Sequence, residues 1–238
     1  MSRFSSIVWS SVGKKFLTGI TGLVLCVFIL EHLSGNLLLL HKNAGPFNRY
    51  AHWLHSLGEI LIVIELGLVA VFAVHIIMGI SVAVRKTEAR PRAMRYFKTA
   101  GAGHPSRKSL SSVSMLVTGI VLLAFVIIHL KMFKFGPGVE AEYVDAHLTE
   151  IHGEEVRDIY RLVEEEFSNI WTVIGYVAVM LLLGLHLRHG FWSAFQSIGI
   201  GYPRYAPFIY AVGIVFASAM AVGFLLLPII IYFRGVAS

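Results

Sequence analysis

Cysteine is almost missing from this chain of 238 residues. The single thiol, Cys26, lies inside an apolar run. A disulfide framework, a thiolate-ligated cluster and a C-x-x-C-H haem attachment are therefore excluded within the chain. Charge is scarce as well. Asp, Glu, Lys and Arg make up 14% of the residues against 56% hydrophobic ones, and mean hydropathy is +0.73. A soluble domain carries about 25% charge, so a soluble enzyme, a nucleic-acid module and a disordered adaptor are set aside. Low-complexity segments are absent, and no internal repeat is evident.

What is present is a set of long apolar runs. Five reach the roughly 20 residues that a bilayer crossing needs: 16–40, 59–84, 111–133, 169–189 and 206–233. The fold class expected is all-α: one integral membrane bundle of five transmembrane helices over residues 1–238. The first run follows Lys14 and Lys15 but is too long for a signal peptide and lacks a small-residue cleavage site, so it is expected to be retained.

The net charge of +6 is unevenly spread. Arg85, Lys86, Arg90, Arg92, Arg95, Lys98, Arg107 and Lys108 crowd the loop 85–111 against Glu88 alone, whereas the loop 131–168 carries ten acidic residues and four basic ones. The positive-inside rule makes the first loop cytoplasmic and the second external, with the N-terminus inside and the C-terminus outside. Basic charge of this origin implies topology and a lipid partner, not nucleic acid. In the outer loop, Val144, Leu148, Ile151, Ile159, Leu162, Val163 and Phe167 recur at mostly three- or four-residue steps. This fits a short amphipathic helix over the outer mouth or a solvated acidic loop.

Ionisable residues inside spans are costly and point to function. Four histidines lie well inside, one on each of the first four spans: His32, His75, His129 and His186. Alternating span direction puts His32 and His129 near the outer end and His75 and His186 near the inner end. Two imidazoles facing across a bundle are the axial ligation of a low-spin haem b, which suits electron transfer. Helix rise predicts roughly 10–15 Å between the two centres. Gly79 and Gly190 each follow an inner histidine by four residues, and Gly35 follows His32 by three. A missing side chain on that face leaves room for a flat ring; ordinary close helix packing is the other reading. His189 and Arg188, nearer the membrane edge, are candidates to meet haem propionates. Zinc is the rival ligand, but it prefers three or four close donors.

The chain resembles the five-helix dihaem cytochrome b subunit of succinate dehydrogenase/fumarate reductase. The likeness runs through SSVGKKFLTGITGL, EHLSGNLLL with His32, VHIIMGISVAVRK with His75, IIHLKMFKFG with His129, YRLVEEEFSN, and GLHLRHGFWSAFQSIG with His186. It implies an electron-transfer, quinone-reactive subunit in the inner membrane of a prokaryote. A flavoprotein subunit and an iron–sulfur subunit on the cytoplasmic face would interconvert succinate and fumarate. This chain would dock them, hold two haem b groups and exchange electrons with a quinone, commonly menaquinone in this class. His75 and His186 would hold the haem nearer the iron–sulfur subunit, and His32 and His129 the distal one. Quinone chemistry needs a proton-exchanging group, for which Glu65, Glu59 and Glu31 are candidates; a paired structural role for Glu65 and an interfacial, solvated one for Glu59 are the alternatives. Some relatives carry an acid two residues before the fourth-span histidine, where this chain has Gly184. The competing functions are a dihaem cytochrome b of another oxidoreductase, such as a hydrogenase or formate dehydrogenase, and a proton-coupled transporter with relaying histidines.

Overall fold

The computed structural model describes residues 8–88, 114–136, 148–151, 153–200 and 203–237. It is mostly helical (84%), with five helices long and apolar enough to cross a membrane. These are α1 (Ser11–Asn36), α3 (Glu59–Glu88), α4 (Met115–His129), α6 (Ile170–Ser197) and α7 (Ala206–Ala237). Between them lie a shorter helix α2 (Gly45–Ser56), a hairpin of β1 (Leu148–Ile151) and β2 (Glu154–Arg157), and helix α5 (Ile159–Phe167). The basic loop expected to mark the cytoplasmic side falls largely outside the described residues, as does Val144.

The sequence explains where these helices start. Ser10 caps α1 by accepting from the Gly13 amide (3.0 Å), Asn169 caps α6 by accepting from Trp171 N (2.9 Å), and Asp158 caps α5 by accepting from Arg161 N (3.0 Å). The spans are apolar on all sides, so little of that surface can be buried within one chain. Val63 is 70% exposed, Val117 64% and Val215 69%. Water would penalise such surface heavily, whereas lipid does not.

Four of the long helices form a ring. α1 packs on α3 and α6, α4 packs on α6, and α3 meets α4 lightly. The diagonals of the ring are therefore α1 to α4 and α3 to α6. α7 lies outside it, packed along α6 and against α1.

One end of the ring is capped. There the acidic segment forms a short amphipathic helix, α5, over only the later part of the length that its apolar spacing suggests. Leu148 and Ile151 sit on a β-hairpin turned at Gly153 (φ +84°), a conformation that glycine adopts freely, and only the later part is helical. α5 buries Tyr160, Leu162, Val163 and Phe167. It is docked by Asn48 of α2, which is 2% exposed. The Asn48 amide donates to Asp158 (2.7 Å), and its oxygen accepts from the Tyr160 backbone N–H (3.0 Å). The Arg234 guanidinium of α7 reaches the carbonyls of Leu39, Leu40 and His41 and the Tyr160 hydroxyl at 2.8–3.1 Å. It thereby satisfies the open carbonyls where α1 ends. Asn48→Ala leaves a buried amide unpaired and is expected to weaken the docking of α5 by about 1–3 kcal/mol. Amide hydrogen exchange through 159–167 should quicken accordingly; wild-type exchange would show that Asn48 does not hold the cap.

Candidate functional site

Four histidines lie inside the ring, and they meet along both diagonals. His32 of α1 and His129 of α4 lie with ring centres 5.9 Å apart and planes at 86°. His75 of α3 and His186 of α6 lie 6.5 Å apart with planes at 70°. The pairing by depth that alternating spans predict is the pairing seen. Two imidazoles on opposite sides of one metal ion, with bonds of about 2 Å and about 1 Å more to each ring centre, stand about 6 Å apart. Both pairs have that spacing.

The two levels are separated along the helices. His75 lies against Thr21 and Gly22 of α1, and Gly22 precedes His32 by ten residues. His186 lies against Thr118 and Gly119 of α4, and Gly119 precedes His129 by ten. Ten residues of α-helix rise about 15 Å, the upper bound of the sequence-based expectation.

Hydroxyl groups orient three of the four rings. His75 Nδ1 lies 3.2 Å from Thr21 Oγ1, His186 Nδ1 3.1 Å from Thr118 Oγ1, and His129 Nδ1 3.2 Å from Tyr176 Oη. With Nδ1 engaged, Nε2 is the nitrogen left to bind a metal. Aromatic rings hold the pair at the capped end. Phe28 stacks on His32 at 5.5 Å and 23°, and Phe125 on His129 at 5.5 Å and 26°. After His129 the helix widens into a π-turn, Leu130–Lys134, with Phe135 N bonded to Leu130 O at 2.9 Å. This brings Phe133 to 5.2 Å from the His129 ring.

These contacts expose a repeat that the sequence alone left unnoticed. Residues 21–32 read TGLVLCVFILEH and residues 118–129 read TGIVLLAFVIIH. They agree at Thr, Gly, Val, Leu, Phe and His, and Thr, Phe and His make equivalent contacts in both. Each copy seats the histidine of the following long helix and stacks a phenylalanine on its own.

The glycines divide differently from the expectation. Gly35 is not open to a flat ligand: a Cβ there would meet Tyr50 Cε1 at 2.5 Å, so its missing side chain admits Tyr50 instead. Among the described residues, a Cβ at Gly79 would meet no neighbouring helix within 4 Å, and one at Gly190 would meet Met115 Cε at 3.9 Å. Each glycine lies one turn from an inner histidine on the same helix face. A Cβ at Gly22 would meet Cε1 of His75 at 3.2 Å, and one at Gly119 would meet Cε1 of His186 at 3.5 Å.

The carboxylates lie toward the capped end with different surroundings. Glu31 accepts a hydrogen bond from Tyr50 Oη (3.1 Å). Burial, followed by the charge of Glu31 and that hydrogen bond, pushes the Tyr50 phenol up to about 12. Glu65 is ion-paired with Lys134. Glu59 is exposed in the first turn of α3, where its charge favours the helix dipole. At the opposite end, Arg188 donates to Tyr210 on α7 (3.1 Å), and His189 follows His186 on α6. Lys14 is buried beside Ser81 and lies over the Trp9 ring at 4.9 Å. Among the described residues, no three or more His, Cys, Asp or Glu side chains converge; each diagonal offers two imidazoles. Comparison with protein-family models, curated proteins and solved structures gave no match to this chain.

Proposed function

We propose that this protein is the membrane anchor of a succinate:quinone oxidoreductase. In this reading it holds two haem b groups and carries electrons between an iron–sulfur subunit and a membrane quinone, menaquinone by resemblance. The observation that carries the haem reading is the pair of crossed diagonals, His32 with His129 and His75 with His186, each with ring centres near 6 Å apart. The choice of complex rests on the sequence resemblance.

When bound, a bis-imidazole haem supplies a one-electron couple with no open coordination position. The chain's own residues do the rest. Four imidazoles grip at two depths about 15 Å apart along the helices. The apolar walls of the ring exclude water, which favours a buried site for electron passage. Tyr50, kept protonated and bonded to Glu31, and the carboxylates Glu65 and Glu59 are the groups at the capped end able to exchange protons with a quinone. Lys14, Arg188 and His189 supply basic groups at the other end, where propionates of the inner haem would lie.

In this reading the N-terminus is cytoplasmic, the capped end faces out and the C-terminus is external, in the inner membrane of a prokaryote. The flavoprotein and iron–sulfur subunits dock at the cytoplasmic end, near the basic loop. A dithionite-reduced minus oxidised spectrum of the purified protein is expected to show b-type bands at two haems per chain. A colourless protein would remove the reading. Haem reduced by succinate through a co-purifying flavoprotein would separate it from a subunit of another oxidoreductase.

A further inference from the structure

We propose that Thr21 and Thr118 are positioning residues for the inner haem ligands, fixing His75 and His186 in the tautomer whose Nε2 binds iron. The inference rests on the haem reading above and adds how the nitrogens are chosen. A threonine hydroxyl has one proton to give. Thr21 donates its own to the Leu17 carbonyl (2.6 Å), one turn back on α1. Thr118 has the carbonyls of Ser114 and Met115 within 3.1 Å, one turn back on α4. With that proton committed, the oxygen can only accept from the imidazole. The ring must then carry its proton on Nδ1 and present a bare Nε2.

Both seats are built alike. Each threonine is followed by a glycine that faces the ring edge: a Cβ would crowd His75 at Gly22 (3.2 Å) and would just touch His186 at Gly119 (3.5 Å). Each hydroxyl comes from the neighbouring helix of the ring rather than from the helix that bears the histidine. A bond of this kind raises ligand basicity and holds the ring plane, and losing one typically costs about 10–100-fold in metal affinity.

The test uses full-length protein in detergent, with the haem-to-protein ratio and a spectroscopic redox titration as readouts. Thr118→Val is near in shape but cannot accept a hydrogen bond. It is expected to raise the potential of the inner haem and to lower its affinity about 10–100-fold, with the outer haem unmoved. Thr21→Val is expected to do the same through His75. Thr118→Ser and Thr21→Ser restore the hydroxyl and are expected to restore both readouts. Valine variants with wild-type potential and loading would overturn the proposal. So would loss of both haems together, which would assign the hydroxyls to folding, or failure of serine to rescue. Absence of haem from the wild-type protein would instead remove the underlying reading, and it is seen before any variant is made.

Discussion

Replacing His75 or His186 with alanine is expected to remove the inner haem and leave the outer one in place. His32→Ala or His129→Ala is expected to do the reverse. In the proposed reading each diagonal would supply two ligands to one site and none to the other, because the levels lie about 15 Å apart along the helices. Loss of either imidazole leaves a single axial bond and a vacant side, which should lower retention through purification far below that of the intact pair. Haem content and the reduced minus oxidised spectrum of each variant read this directly. If His75→Ala depleted the outer haem, or spared both, the diagonal pairing would be wrong as a description of ligation. Phe28 and Phe125 make the control informative: of the four histidines they stack on His32 and His129, so the capped end is expected to keep its packing when the inner pair is cut.

Gly79→Leu is expected to abolish binding of the inner haem while leaving the helices assembled. Among the described residues no other helix lies within 4 Å of a Cβ at this position. Gly79 also lies one turn from His75 on the same face, and the added carbons would fall where a macrocycle held by His75 must lie. The helices would therefore tolerate a substitution that a haem bound by His75 would not. Full inner haem in this variant, alongside a normal outer haem, would mean that the space is unrelated to the ring. Gly35→Leu is not an equivalent probe, because Tyr50 already fills that site.

The spans and the depth of their histidines were legible because lipid makes hydrophobicity conspicuous and polarity more so. His32, His75, His129 and His186 stand out against apolar helices, and alternating direction sorts them into levels. Which helices face each other was not legible from hydropathy, since the spans are apolar on all sides and α7 gives no sign of standing outside the ring. The threonine seats were hidden for a chemical reason. Threonine within a span satisfies itself on its own helix, so its presence carries no cost and no signal. Only the match between 21–32 and 118–129 reveals it, through the shared Thr-Gly, Phe and His spacing. Gly35 misled because a glycine shows that something approaches, not what. The acidic segment misled because LTEI and EEVR place apolar residues at steps that also suit a helix, whereas the turn at Gly153 pairs them as strands. Asn48, Tyr160 and Arg234 act through partners far away in sequence, which no local pattern announces.

The crossed diagonals have a mechanical consequence. α1 with α3 forms one helical half and α4 with α6 the other, and every histidine pair takes one member from each half. Neither half alone has a complete grip on anything. Whatever bridges the two pairs would tie the halves together twice, at two heights, across a seam that α1 and α6 close on one side and where α3 and α4 barely touch on the other. The chromophores would then be structural fasteners as well as electron carriers, and the empty chain would be the looser object.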